Sequence, residues 1–281
     1  ASDRISAFDH ILPKGIPCKG QVLNQVATMF LEATRDIVPN WLIDTPNSHV
    51  AFGHLAPTIP IEVIVRGYIS GSMWRSYEAG ERMFCGNILP DGLKNNQKLD
   101  TPIITPTTKA AAGHDENTSE EEILNAGIVS KTDWDLIKKY SYHVFNFDSQ
   151  YTSTKNLILV DTKFEFGRKK NDQIILIDEI LTPDSSRYFI ADSYQEKFDN
   201  GDSPSQLSKE FVRQWLIENN FMGQEGEIVP EMTADWINTI SARYIELYNK
   251  LIDQSFFKES KEFNLAKIQT VYDAFYQKYY A

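Results

Sequence analysis

The stretch LILVDTKFEFG restricts the fold of this chain more than any other part of the sequence. Side chains of an extended strand alternate between two faces, so Asp161, Lys163 and Glu165 point one way while Phe164 and Phe166 point the other. The pattern predicts a strand with one apolar face and one ionic face. A solvated row of salt bridges and the wall of a charged binding site would both show this alternation, and the stretch alone leaves the two open.

Length and composition place the chain among globular proteins. It has 281 residues, of which 42% are hydrophobic and 24% charged, enough for one large domain or two modest ones. No apolar run reaches the roughly 18 to 20 residues of a membrane span, and no signal-like start is present. Cys18 and Cys85 show no metal-binding spacing, so we expect free thiols, no zinc site and a cytoplasmic location.

The net charge of −11 restricts the kind of partner. Affinity for nucleic acids and for anionic membranes depends on accumulated Lys and Arg, so we expect neither partner. Any anionic ligand must instead be held by a few local cations.

Helical and strand patterns occur without strict alternation along the chain, which favours an α+β fold over a doubly wound sheet. A capping box of Thr118 or Ser119 with Glu121 or Glu122 marks one helix start. The stretch IEVIVRGYISGS predicts a strand that runs into a Gly/Ser loop, and residues 87–106 are predicted to be an irregular surface segment. Periodicity predicts helices at residues 20–37, 133–147, 206–219, 233–252 and 264–279, and a hairpin of residues 157–166 with 173–180.

The hairpin can gather carboxylates. With a turn centred near residues 169–170, Asp161 would lie opposite Asp178, and Glu165 two pleats along the same strand. Carboxylates that close favour a cation among them, and oxygen ligands beside phosphates suit Mg²⁺. Lys163 could serve as a point charge for a phosphate or carboxylate. A purely structural salt-bridged hairpin is the alternative.

Anion-binding side chains occur in four further stretches. LTPDSSR presents hydroxyls beside Arg187 on a turn. VRGYISGSMW carries Arg66 and Ser72 with glycines that let the backbone approach a ligand, although neither a P-loop nor a GxGxxG pattern is present. SDRISAFDH contributes another cation and hydroxyl, and TPTTKAAAGHDENTSEEE precedes the capped helix, whose N-terminus favours anions. Each stretch is weak evidence by itself.

Taken in order, these stretches resemble one family, SAICAR synthetase. The matching strings are SDRISAFD, PIEVIVRGYISGS, TPTTKAAAGHDEN, LILVDTKFEFG, DEILTPDSSR and FVRQWL, which together span residues 2–216. The resemblance implies an ATP-dependent ligase of purine biosynthesis. It would join L-aspartate to the carboxylate of carboxyaminoimidazole ribonucleotide (CAIR) through an acyl phosphate, giving SAICAR, ADP and phosphate.

The resemblance also implies roles for the charged side chains. Glu165 and Asp178 match positions that hold Mg²⁺ near the ATP phosphates. Asp161 and Lys163 match positions at the junction of ATP and CAIR, and Asp115 matches a position near the reacting groups.

Further positions match substrate contacts of the family or lie beside them. The implied ribonucleotide binders are Arg66, Ser72, Arg187 and Arg213, the loop-orienting acid is Asp184, and the contacts to the acidic substrates are Arg4 and Ser6.

The implied fold is a small β-rich lobe packed on a larger α+β lobe, with the site in the cleft. Residues 1–86 would form the remainder of the first lobe with one helix, and residues 87–281 the second, with the Mg–ATP hairpin and the terminal helices. Family members usually begin with a glycine-rich strand pair over the ATP phosphates, and this chain starts after the place where that pair should lie. Its absence would put nucleotide binding in doubt and leave CAIR binding intact.

Two other functions stay open at this point. One is a catalytically silent protein that binds anionic nucleotides without phosphoryl transfer. The other is a metal-dependent phosphohydrolase, which would need no aspartate and would leave the Arg and Ser elements unexplained. A homo-oligomer is also left open.

Overall fold

The computed structural model describes residues 3–8, 10–109, 116–258 and 265–280, and these contain eight helices and thirteen strands. In chain order they are β1 (Ser6–Ala7), β2 (His10–Ile11), α1 (Lys19–Ala33), β3 (Leu42–Asn47), β4 (Val50–Gly53), β5 (Thr58–Tyr68), α2 (Gly71–Glu78), β6 (Met83–Phe84), β7 (Asn87–Ile88), β8 (Lys98–Thr108), β9 (Glu116–Asn117), α3 (Glu120–Asn125), α4 (Lys131–Ser153), β10 (Leu157–Arg168), β11 (Ile174–Ile177), β12 (Ser186–Ile190), α5 (Ala191–Asn200), β13 (Gln206–Leu207), α6 (Glu210–Glu218), α7 (Ala234–Leu251) and α8 (Leu265–Tyr280).

A seven-stranded antiparallel sheet positions the candidate site. Its strand order is β13-β12-β10-β5-β8-β9, and β11 pairs with the far end of β10. The central strands β5 and β10 are rich in β-branched and aromatic residues, which suit a pleated, half-buried surface. Antiparallel pairing of sequentially distant strands, with helices packed against the sheet, confirms the α+β class.

The two faces of β10 differ as the alternation predicts. Phe164 and Phe166 are each 1% exposed and pack in the main core with side chains of α1, α4 and α7. On the other face Asp161 is 8% exposed and Glu165 is 4% exposed. The solvated-row alternative is therefore wrong, because this ionic face is buried.

The hairpin of β10 and β11 is confirmed, but its predicted register is wrong. The amide of Lys169 donates to the carbonyl of Gln173, so the turn lies further along the chain than residues 169–170. Glu165 consequently faces Ile177, and Asp178 follows the strand end on the side of Glu165 rather than Asp161. Asp161 is flanked instead by arginines of β5 and β12.

Other predicted elements shift or change type. Helix α1 ends at Ala33, a turn earlier than predicted, and α6 begins at Glu210 after a short strand. The Gly/Ser loop after β5 is reduced to residues 69–70, because helix α2 already begins at Gly71. Residues 98–108 form the long strand β8 rather than an irregular segment, so the main sheet takes strands from both sides of the proposed lobe boundary at 86.

In the part of the chain that the structure describes, no helix has the length and apolar character needed to cross a membrane.

One buried acid lies away from the ionic face. Asp148 of α4 is 0% exposed, and its Oδ2 lies 3.1 Å from the hydroxyl of Tyr188, which also donates to the carbonyl of Leu181 at 2.8 Å. The Tyr188 hydroxyl has one proton to share between these two acceptors, and Oδ1 of Asp148 has no hydrogen-bond partner among the described residues. Burial raises the pKa of Asp148 to about 8, against the opposing hydrogen bond from Tyr188, in agreement with a neutral carboxyl.

This acid should make stability fall with pH. Its pKa is raised from 3.8 to about 8 on folding, so the folded state binds the extra proton between these values. The free energy of unfolding should drop across this window by up to roughly 1.4 kcal/mol per pH unit and level off above it. We expect Asp148→Asn to remove this slope and to be more stable than the parent at pH 8. Urea unfolding from pH 5 to 9 checks this, with the exposed Asp199→Asn as control, and parallel curves for parent and Asp148→Asn would contradict it.

Candidate active site

The ionic face of the sheet lines a cavity of about 620 Å³. Within the described residues its charged lining consists of six cations and four carboxylates. They are Arg66, Arg75, Lys163, Arg187, Lys209 and Arg213, with Glu62, Asp161, Asp184 and Glu210. In a chain of net charge −11 this is a local excess of positive charge, which suits an anionic ligand.

Asp161 holds two arginines in place. Its Oδ2 lies 3.2 Å from Nη1 of Arg66 and 3.5 Å from Nη1 of Arg187, which belong to the neighbouring strands β5 and β12. Arg66 also donates from Nε to Thr105 at 2.8 Å and from Nη2 to Ser72 at 3.3 Å. Both guanidinium groups are therefore buried and fixed in direction, as bidentate recognition of a phosphate or carboxylate requires.

The start of α2 lies against the guanidinium of Arg187. The Nη1 group donates to the hydroxyl of Ser70 at 2.6 Å, and that hydroxyl donates to Oδ1 of Asn96 at 2.8 Å. Gly71 has a φ of +59°, and a Cβ at this position would lie 2.6 Å from Nη2 of Arg187. Only glycine combines this backbone conformation with so close an approach.

Lys163 bridges carboxylates from two strands. Its Nζ lies 2.9 Å from Oε1 of Glu62, 2.7 Å from Oε1 of Glu165 and 4.0 Å from Oδ2 of Asp178. Burial lowers the pKa of Lys163, but the charges of Glu165 and Glu62 outweigh it and raise the pKa overall. The amine is therefore a permanent cation in this site.

Glu165 and Asp178 are neighbouring carboxylates, and the nearby lysines offset the negative charge of Glu165 more than that of Asp178. Burial raises the pKa of Glu165, but Lys163 and a contact from Lys109 bring it down to about 2. The pKa of Asp178 is raised, first by burial and then by the charge of Glu165. The pair thus holds negative charge that the nearby lysines do not fully offset.

These two carboxylates fit Mg²⁺. The described residues contain no preformed cluster of three or more His, Cys, Asp or Glu side chains for a metal ion. Mg²⁺ is usually held by one or two carboxylates together with water and substrate phosphates, so Glu165 and Asp178 are an adequate protein contribution.

A second cavity of about 360 Å³ begins beside Asp178. Its lining is largely apolar or neutral and consists of Leu23, Asn24, Ala27, Thr28, Trp41, His49, Val50, Ala51, Asp178 and Glu179. Lys163 lines the larger cavity and lies 4.0 Å from Asp178, so the two cavities are adjacent at this contact.

Asp184 is tied to three other segments of the chain. Its carboxylate lies 2.8 Å from Nζ of Lys19 and 3.9 Å from Nζ of Lys209, and it accepts a hydrogen bond of 2.5 Å from Tyr244. Burial raises the pKa of Asp184, but the charges of Lys209 and Lys19 outweigh it and lower the pKa overall. These contacts fix the loop between β11 and β12, which carries Ser185 into the cavity wall.

The structure brings most of the predicted site residues together. Those that line the larger cavity are Ser6, Arg66, Ser72, Asp161, Lys163, Asp184, Arg187 and Arg213. Glu165 contacts Lys163, and Asp178 lines the smaller cavity. Arg4 is exposed and is part of neither lining, and Asp115 lies outside the described residues.

Several charged residues of the site were missed, among them Glu62, which lines the larger cavity and pairs with Lys163. Arg75 lies one helical turn after Ser72. Lys209 and Glu210 lie one turn before Arg213, so helical spacing from a predicted residue could have found all three. Lys19 comes from a segment without any pattern that points to a ligand.

The chain is similar to known proteins of one family. A family model described as SAICAR synthetase matches residues 1–229. A protein of Azobacteroides pseudotrichonymphae named phosphoribosylaminoimidazole-succinocarboxamide synthase is 52% identical over 269 residues, which cover 96% of this chain and 83% of that protein. A Bacteroides fragilis protein of the same name is 54% identical over 260 residues, covering 92% and 82%.

A solved structure agrees with these matches. The SAICAR synthase of Saccharomyces cerevisiae in complex with SAICAR has a TM-score of 0.78 and 33% identity, with 92% of this chain and 89% of that chain covered. Sequence and fold thus agree over most of the molecule, and the chain belongs to the SAICAR synthetase family.

Proposed function

We propose that this carbon–nitrogen ligase of purine biosynthesis joins the amine of L-aspartate to the carboxylate of CAIR, with conversion of ATP to ADP and phosphate. One observation carries the site assignment. The ionic row of β10 extends from Asp161, which lies between two arginines in the larger cavity, to Glu165, which lies beside the smaller cavity. Strand β10 therefore lines the larger cavity, and its Glu165 lies beside Asp178, which lines the smaller one.

We place the ribonucleotide in the larger cavity. Arg66 and Arg187 present buried guanidinium groups there, and Ser72 adds a hydroxyl from the first turn of α2. The Nε group of Arg187 is buried and has no hydrogen-bond partner among the described residues, so a donor remains for a ligand.

We place the nucleotide of ATP in the smaller cavity, with its phosphates toward Lys163. The aromatic wall of Trp41 and the apolar side chains of α1 suit a base and sugar. Glu165 and Asp178 would hold Mg²⁺, which when bound offsets charge on the phosphates. Lys163 lies beside both carboxylates and supplies a fixed positive charge where the two cavities meet.

The reaction has two steps. A carboxylate oxygen of CAIR attacks the γ-phosphorus of ATP, the bond to the leaving ADP breaks, and an acyl phosphate forms. The aspartate amine, after loss of a proton, then attacks the acyl carbon, and the bond to phosphate breaks. The side chains of this protein align the two anions, and Lys163 and the arginines stabilise the transferring phosphoryl group. Positioning and electrostatic stabilisation of this kind supply most of the rate enhancement of phosphoryl transfer.

Isotope transfer tests the acyl phosphate. CAIR labelled with ¹⁸O in its carboxylate should pass one labelled oxygen to inorganic phosphate in each turnover, because that oxygen bridges carbon and phosphorus before phosphate leaves. Phosphate analysed by mass spectrometry after reaction with ATP and L-aspartate gives the result. Unlabelled phosphate accompanied by SAICAR formation would contradict the proposed order of steps.

We also propose that residues 1–86 and 87–281 form two lobes, that the protein is cytoplasmic, and that its partners are small molecules and further copies of the same chain. The silent-binder alternative has no support from the family match, which is to a synthetase. The phosphohydrolase alternative gives no role to Arg66 and Arg187.

A further inference from the structure

One acid lies among the cations of the larger cavity without an evident role in the reaction. Glu210, in the first turn of α6, points its Oε2 at Nη2 of Arg187 at 3.2 Å and at Nη1 of Arg213 at 3.4 Å. Its side chain is 20% exposed, so it borders the cavity rather than solvent alone. Burial raises the pKa of Glu210, but the charges of Arg187, Arg213 and Arg75 outweigh it and lower the pKa overall. The carboxylate is therefore ionised at neutral pH.

The contacts of Glu210 are those of a replaceable partner. A strong arginine–carboxylate pair uses two parallel hydrogen bonds near 2.8 Å, whereas here one oxygen is shared by two arginines at 3.2 and 3.4 Å. Arg75 lines the same cavity, and its side chain makes no hydrogen bond or ion pair with the described residues, although its charge acts on Arg66 and Glu210. A phosphate offers three oxygens and more charge than a carboxylate, and it would satisfy these donors better.

We propose that Glu210 is an internal counter-ion of the phosphate subsite, whose place between Arg187 and Arg213 the phosphate of the ribonucleotide takes on binding. In the free protein the carboxylate of Glu210 holds Arg187 and Arg213 close together and offsets part of their positive charge. The ligand must displace it, so Glu210 lowers the affinity for phosphorylated ligands and acts as a specificity-determining residue. This inference rests on the proposed function for the identity of the ribonucleotide, but not for the phosphate subsite itself.

A positioning role for Glu210 would predict the opposite change in phosphate affinity when its charge is removed. If Glu210 stayed in place and oriented the arginines toward the phosphate, loss of its charge would weaken binding. If it is displaced, loss of its charge removes a competitor and a like-charge repulsion, and binding becomes tighter.

The experiment compares Glu210→Gln with the parent protein. Inorganic phosphate, ribose 5-phosphate and CAIR are titrated by calorimetry. We expect each to bind roughly 5- to 20-fold more tightly to the variant, because both the competing carboxylate and its repulsion of the phosphate are removed. Glu218→Gln is the matched control, since it removes the same charge from the exposed end of the same helix, and it should leave all three affinities unchanged. Unphosphorylated ribose should not bind better to either variant.

Two further readouts separate this role from a structural one. Glu210→Asp keeps the charge and should restore the weaker affinity of the parent. In turnover, Glu210→Gln should lower the KM for CAIR without raising kcat, as expected for a change in uniform binding. If Glu210→Gln does not fold, Glu210→Ser removes the charge in a smaller side chain and is tested in the same way.

The outcomes are distinct. Unchanged or weaker phosphate binding by the folded charge-removing variant would overturn the counter-ion role. Tighter binding of phosphate and ribose 5-phosphate without any CAIR-dependent turnover by the parent protein would support the counter-ion role and overturn the proposed function.

Discussion

Replacement of Arg187 by alanine is expected to weaken CAIR binding by roughly 100-fold or more, since a buried charged hydrogen-bonding partner is lost. ATP affinity should change by less than about threefold, because Arg187 and its ionic partners Asp161 and Glu210 line the larger cavity and not the smaller one. Calorimetric titration of each ligand alone measures both affinities. The selectivity of the loss is the informative quantity, because a general loss of structure would affect both ligands.

The control for this variant is Arg168→Ala. Arg168 ends the same strand β10 and forms an ion pair of 2.6 Å with Asp133, away from both cavities. It should reduce the free energy of unfolding modestly and leave both affinities unchanged. Equal losses of CAIR and ATP binding in Arg187→Ala, in proportion to a lower Tm, would indicate a structural salt bridge instead of a binding site.

Replacement of Asp178 by asparagine is expected to lower kcat by roughly a thousandfold while CAIR binds as before. Asparagine is the suitable substitution because Asp178 has a φ of +62°, which Asn adopts readily and alanine does not. The side chain of Asp178 is 48% exposed, and its partial desolvation together with the charge of Glu165 raises the pKa of the carboxyl. Loss of its charge should therefore leave Tm unchanged or slightly higher. A residue that costs stability and is needed for turnover is characteristic of a functional site.

Asp172→Asn is a closely matched control. Asp172 lies in the turn of the same hairpin, has a φ of +65°, and its side chain is 89% exposed. It should change neither kcat nor Tm appreciably. Steady-state rates at saturating substrates and thermal unfolding of the two variants give the comparison. Near-normal turnover by Asp178→Asn would remove this carboxylate from the proposed Mg²⁺ site.

The alternation of β10 was sufficient to predict the two faces of the main sheet. Period-two spacing is a local property, and the aromatic side chains identify the core face without any tertiary information. The hairpin register was not predictable in the same way, because it depends on the turn. The observed turn lies one or two residues further along the chain than predicted. Asp178 therefore lies beside Glu165 instead of Asp161, and it lines the smaller cavity instead of the larger one.

The surroundings of the arginines depend on long-range pairing. Asp161, Arg66 and Arg187 meet because β5 and β12 flank β10, although they are far apart in sequence. The resemblance to the SAICAR synthetase family pointed to all three residues, but not to the contact that Asp161 makes with both arginines. Glu210 and Lys209 enter the site from the start of a helix that was predicted to begin several residues earlier. Lys19 is the first residue of α1, one residue before the predicted start of that helix.

The central claim is that one site couples ATP cleavage to the joining of CAIR and L-aspartate. Its most direct test is the rate of ADP formation with Mg²⁺ and ATP, measured with both co-substrates and with each omitted in turn. We predict sustained ADP formation only when CAIR and L-aspartate are both present, in equal amount to the SAICAR formed. Phosphate release that needs no aspartate, or binding of CAIR and ATP without any turnover, would contradict the claim.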